Sequence, residues 1–211
     1  MRTDELIRVL VRDGARPVVP IRRSLLWALC IGAALSAVLF SIVLHPRADI
    51  GEVILTPRFL FKLVVMLALG VAAGTLLADA ARPLPRFRSR WFLLLAPLLL
   101  VAGVIGELLL TDSDTWRTNL VGRNAVHCLS LIPLFALGPA AALFVILRRG
   151  APARPAISGA VAGLVSASIG AMLYALSCPD DSPLFVATWY SIAVAVVTLV
   201  SAFAGSRILR W

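Results

Sequence analysis

The chain has 211 residues, of which 60% are hydrophobic and only 15% charged, with a mean hydropathy of +0.95 and a formal net charge of +9 at pH 7. A soluble domain carries about a quarter charged residues, and one small core cannot hide this much apolar sequence, so a soluble globular fold is excluded and lipid must solvate the excess. The basic excess comes without a stripe of interleaved aromatics, which speaks against nucleic-acid binding and for cytoplasmic loops beside anionic lipid.

Residues 1–23 form a cytoplasmic arm containing a short amphipathic helix. Thr3 can cap it, Asp4 and Glu5 suit its positive end, and Asp13-Gly14 can stop it. Leu6, Ile7, Leu10 and Val11 recur at helical spacing and form one apolar stripe. Isolated helices below about 12–15 residues rarely hold in water, so the stripe needs a cover. Two covers suit it: the inner leaflet, or a protein groove that takes these four side chains as anchors. Pro17 and Pro20 set the arm apart from the first apolar run.

Residues 24–211 read as an all-α integral membrane domain, a bundle of six transmembrane helices. A crossing needs about 20 mostly apolar residues, and six segments qualify, at approximately 25–44, 59–78, 91–110, 128–147, 156–176 and 184–204. The first begins after Arg22-Arg23 and runs to His45-Pro46 with no cleavage site, too long for a signal h-region, so it reads as a retained helix. Continuous apolar runs exclude a barrel, and lipid then leaves only helices. Gly150 with Pro152 closes the fourth span, and Ser182-Pro183 supplies the N-cap and first helical residue of the sixth. Pro97, Pro133 and Pro139 fall inside spans and suggest kinks. Gly70-x-x-x-Gly74 and Gly159-x-x-x-Gly163 allow close helix approach, within one chain or in a homodimer.

About three quarters of the basic residues collect on one side, which the positive-inside rule assigns to the cytoplasm together with both termini. Arg22, Arg23, Arg148, Arg149, Arg154, Arg207 and Arg210 are among them; the opposite side has Arg47, Arg58, Lys62, Arg117 and Arg123. Asp49, Glu52, Asp112, Asp114, Asp180 and Asp181 also fall outside.

Two of the three cysteines meet this external face. Cys30 lies within the first span and reads as a small hydrophobe. Cys128 opens the fourth span and Cys178 follows the fifth; antiparallel neighbours joined by a short loop can bring two thiols within disulfide range. His127, Glu107, Asp180 and Asp181 lie at the same level, which makes a His/Cys/carboxylate cluster suited to redox change or to transient binding of a soft metal. The plainer alternatives are a structural disulfide, two idle thiols, and helix caps. No resident cofactor is called for. There is no Cys-x-x-Cys, no His-Glu-x-x-His and no phosphate-cradling glycine loop, so catalysis is not expected.

Taken together, Thr3-Asp4-x-Leu6-Ile7, six spans in this order, His127-Cys128 opening the fourth, Cys178-Pro179-Asp180-Asp181-Ser182-Pro183 before the sixth, and Trp189-Tyr190 resemble the NrsF-type family over essentially the whole chain. The resemblance implies a membrane anti-sigma factor of the bacterial inner membrane. Such a protein holds an extracytoplasmic-function sigma factor inactive at the cytoplasmic face and releases it under stress. Cys128 and Cys178 then match the sensing cysteines, and the arm around Leu6, Ile7, Leu10 and Val11 matches the start motif. Ser177 stands where the family pattern has a histidine, which favours thiol chemistry over a multi-histidine metal site. The alternative is a small transporter or channel using Glu107 and the external polar cluster; the absence of a charge near the middle of any span, and of an inverted repeat, weighs against it.

Overall fold

The computed structural model describes residues 5, 21–80, 87–150 and 152–210. The arm stripe of Leu6, Ile7, Leu10 and Val11 lies outside the described residues. Six helices are long and apolar enough to cross a membrane: Ile21–Val43, Pro57–Asp79, Trp91–Leu110, Ala125–Gly150, Pro155–Ala175 and Pro183–Ile208, hereafter the first to sixth spans. No strand occurs among the described residues. Several helices outrun the apolar windows that announced them. The fourth, expected at 128–147, takes in Arg148 and Arg149, which occupy its last turn, where cations are favoured by the helix dipole. Hydropathy marks where lipid ends, whereas the helix stops only when its backbone bonds do.

The loops after the first and third spans carry short helices of their own, Ile50–Val53 and Ser113–Val121. In the third span a 3₁₀ segment, Phe87–Leu94, runs into the α-helix Leu95–Leu110. Pro97 falls just past the junction of the two segments, where its missing N–H leaves the Leu93 carbonyl without an α-helical donor.

The fifth span is the hub, with 61% of its most apolar window buried against 11% for the third. Small residues make this proximity feasible. A Cβ added to Gly170 would stand 2.6 Å from the Ile132 carbonyl of the fourth span, and one on Gly163 would stand 2.6 Å from Ser201 Cβ of the sixth. Gly70 meets Ser168 Oγ in the same way, while Gly74 faces open space. The first span lies against the fourth through a specific exchange. Pro139 has no N–H, so the Phe135 carbonyl four residues earlier loses its helical donor. Ser36 donates its hydroxyl to that carbonyl at 2.6 Å, and Gly32 lets the two backbones close to 2.5 Å from a would-be Cβ to Pro139 Cα.

The interior divides along the bundle axis. At one end Phe40, Met66, Ile132, Phe135, Phe185 and Tyr190 pack with Cys128 and Cys178. Toward the other end Leu25, Leu77, Leu143, Leu147, Val161 and Leu209 form a second cluster. Exposed arginines ring that second end: Arg22, Arg23, Arg148, Arg149, Arg154, Arg207 and Arg210.

Candidate functional site

The cysteine end is organised by the turn between the fifth and sixth spans. The fifth helix finishes with Ser177 and Cys178 both donating their amides to the Tyr174 carbonyl, at 3.0 and 3.1 Å. Pro179 cannot continue the helix. Ser182 caps the sixth span by accepting from the Leu184 amide, with Pro183 as the first helical residue. The cap read from the sequence is present.

Cys128 and Cys178 lie in one apolar cluster, at 0% and 1% exposure, and both are free thiols. Cys178 Sγ donates weakly to the Asp180 carbonyl. Burial pushes the Cys178 thiol up, and the Lys62 ammonium, the Asp180 bond and Tyr174 oppose that only in part. A thiol kept protonated and out of water is a poor nucleophile. The pair is therefore shielded in this conformation, and reaction requires the cover to open or the charge around it to change.

That cover is a polar strap. Lys62, on the second span, is fully buried; its Nζ donates to the Cys178 carbonyl at 3.0 Å and pairs with Asp181 Oδ1 at 2.5 Å. Arg47 Nη1 takes the other Asp181 oxygen at 2.8 Å. The same guanidinium forks onto Asp49, Nε to Oδ1 at 2.6 Å and Nη2 to Oδ2 at 2.7 Å. This bond holds the Asp49 carboxyl below its ordinary range, and the two carboxylates raise Arg47 further. The backbone repeats the link: Arg47 N donates to the Leu176 carbonyl and Ser177 Oγ to the His45 carbonyl.

The neighbouring acids have different duties. Asp180 Oδ2 accepts from the Arg123 and Asn124 amides and from Asn124 Nδ2, at 3.0–3.1 Å, just ahead of the fourth span and one turn before Cys128. Glu107, 6% exposed, accepts from Ser182 Oγ, the Leu184 amide and Asn119 Nδ2, with Arg58 Nη2 3.8 Å away. A polar crevice of about 230 Å³ opens between Arg58, Asn119, Arg123, Asp180 and Ser182. Glu107, on which a transport reading would rest, thus serves as a helix cap.

Of the residues singled out in the sequence, Cys128, Cys178, Asp180, Asp181 and Glu107 all reach this end, but they do not form one ligand set. His127 is exposed although Cys128 beside it is buried, and His45 is exposed as well. Among the described residues no group of three or more His, Cys, Asp and Glu side chains could hold a metal ion. In this arrangement the carboxylates are engaged in caps and ion pairs. Sequence reasoning missed Lys62, Arg47, Tyr174 and Tyr190. Lys62 had a signal, being the single lysine of the chain and lying inside an apolar run. Tyr190 is fully buried, and its hydroxyl has no hydrogen-bond partner among the described residues.

Residues 10–211 match the family described as NrsF, negative regulator of sigma F. The chain is 34% identical over 216 residues to the anti-sigma-F factor NrsF of Caulobacter vibrioides (strain NA1000 / CB15N), with all of both chains covered. It is 30% identical, over the same full length, to the probable anti-sigma-F factor NrsF of Azospira oryzae (strain ATCC BAA-33 / DSM 13638 / PS). No solved structure matches it.

Proposed function

The chain belongs to the family of negative regulators of sigma F, and from that premise we propose that it is an anti-sigma factor of the bacterial inner membrane that senses through Cys128 and Cys178. Full-length similarity to relatives named anti-sigma-F factors supports the regulatory half. One observation carries the sensing half: both thiols are buried together at the end of the bundle opposite the larger arginine group, Arg22, Arg23, Arg148, Arg149, Arg154, Arg207 and Arg210. With those arginines on the cytoplasmic side, both termini are cytoplasmic and the thiols lie toward the periplasm, where disulfides persist.

In this reading the partner is an extracytoplasmic-function sigma factor. Residues 1–23 hold it through Leu6, Ile7, Leu10 and Val11, while residues 24–211 form the sensing domain. Oxidation, reduction or soft-metal binding at the thiols repacks the fourth and fifth spans and the turn before the sixth. The rearrangement reaches the cytoplasmic rim, and the arm loses its grip. A tenfold loss of affinity is about 1.4 kcal/mol, less than the roughly 2–4 kcal/mol that one disulfide contributes. No catalytic step is involved.

Co-purification of the sigma factor from membranes is the direct test, and deletion of residues 1–16 is expected to abolish it. Retention of the sigma factor by the truncated chain would remove the arm as anchor. For the sensing half, a reporter of the partner regulon is expected to lose its stress response in Cys128→Ser and Cys178→Ser strains. A response equal to wild type in both strains sinks the thiol mechanism and leaves the anti-sigma role standing.

A further inference from the structure

Every fixed cationic side chain in this protein is an arginine except one, and the exception, Lys62, is the fully buried cation at the thiol site. Its surroundings explain the choice. A guanidinium is a planar fork that suits bidentate acceptors, whereas an ammonium is a compact point charge with three donors. Lys62 Nζ meets two separate acceptors, the Cys178 carbonyl at 3.0 Å and Asp181 Oδ1 at 2.5 Å, and lies 5.3 Å from the Phe59 ring centroid. A buried charge needs such pairing to persist. Arg47 and Asp49 complete the neutral set, two cations against two carboxylates.

We propose that Lys62 is the positioning residue of the thiol pair: clamped between the Cys178 carbonyl and Asp181, it fixes the turn that carries Cys178 and supplies the positive charge against which a thiolate forms there. The proposal rests on the sensing role of Cys128 and Cys178 and names the group that governs their reactivity. Of the two cations in the strap, Lys62 is the one that bonds to Cys178 itself, whereas the Arg47 guanidinium reaches Asp181 and Asp49. The same side chain ties the second span to the turn between the fifth and sixth, so a change of charge at Cys178 is felt directly by a third helix.

The experiment uses the full chain in membrane vesicles with Cys30→Ser and Cys128→Ser, so that Cys178 is the only thiol. N-ethylmaleimide, to whose double bond the thiolate adds, measures reactivity at pH 8.5. Lys62→Met, and Lys62→Met with Asp181→Asn, are compared with the parent. The double variant leaves no unpaired buried charge and is the decisive one. Alkylation is expected to slow at least tenfold while the protein level stays at that of the parent. An unchanged or faster rate in the double variant overturns the proposal, because a lysine that merely braced the turn would expose the thiol when lost. The sensing reading fails separately: cysteine variants would respond to stress as wild type does, whatever the alkylation rate.

Discussion

The carboxylate of Glu107 stands over the first turn of the sixth span, with Oε2 2.7 Å from Ser182 Oγ and 3.0 Å from the Leu184 amide. Ser182 alone would cap that helix. Glu107 adds a negative charge at its positive end and fastens the third span, which is otherwise little buried, to the sixth.

Glu107→Ala is expected to destabilise the protein by about 1–3 kcal/mol, since it strips the acceptor from the buried Ser182 hydroxyl and one of the two acceptors from the Leu184 amide. Glu107→Gln keeps the shape and is expected to cost roughly half as much, because the amide still accepts one bond. Unfolding by titration with a denaturing detergent measures both. Equal stability of Glu107→Ala and wild type would show that the cap is idle.

The Ser36–Phe135 bond exists because Pro139 frees a carbonyl. Ser36→Ala is expected to cost about 1–2 kcal/mol. In a Pro139→Ala background, where residue 139 again has an N–H for Phe135, the same substitution is expected to cost much less. A coupling of at least about 0.5 kcal/mol between the two sites is the signature; strict additivity would mean that the serine does something else.

Gly122 has φ 59° and ψ −169°, backbone open essentially to glycine alone, and a Cβ there would stand 2.5 Å from the Phe185 ring. Gly122→Ala is expected to cost about 1–3 kcal/mol from backbone strain, with the clash added. Gly51→Ala is the control, with no atom within 4 Å of the new methyl; it lies in a helix and is expected to be neutral or slightly stabilising. Thermal unfolding of the pair in detergent checks the contrast.

The Cys178 thiol gives stability a dependence on pH. Its proton is held more tightly in the folded protein than at the ordinary value of 9.0, so the folded state binds more protons once pH passes that value. The contribution is complete below pH 9 and is lost as pH rises. Melting temperatures are therefore expected to fall more steeply above pH 9 in wild type than in Cys178→Ser. Parallel curves would mean that the thiol is already ionised or solvated.

The six spans were legible because lipid imposes a length and a polarity that no other element shares. Their ends were less so, since helices continue into charged turns such as Arg148-Arg149. That Cys128 and Cys178 fall in one buried cluster follows from topology, two antiparallel helices joined by a short loop. The duties of the acids did not. Asp180 and Asp181 are adjacent, yet one caps the approach to the fourth span and the other pairs with Lys62 and Arg47, a division set by the turn and invisible in the residue types. His127 illustrates the same limit: one residue along a helix is about 100° around it, so sequence proximity to Cys128 put it on the exposed side. Lys62 reads from sequence as a lone cation near the start of an apolar run, because hydropathy treats it as an interruption rather than as a partner for a loop 119 positions away.

The scarcity of lysine has a practical consequence. An amine-directed reagent meets a single side-chain target in the whole chain, and that target is sealed. Acylation of Lys62 by an activated ester, followed by mass spectrometry, reports only the moments when the seal opens. The molecule thus carries its own chemical gauge for breathing at the cysteine end, with no label to engineer and no background from other amino side chains.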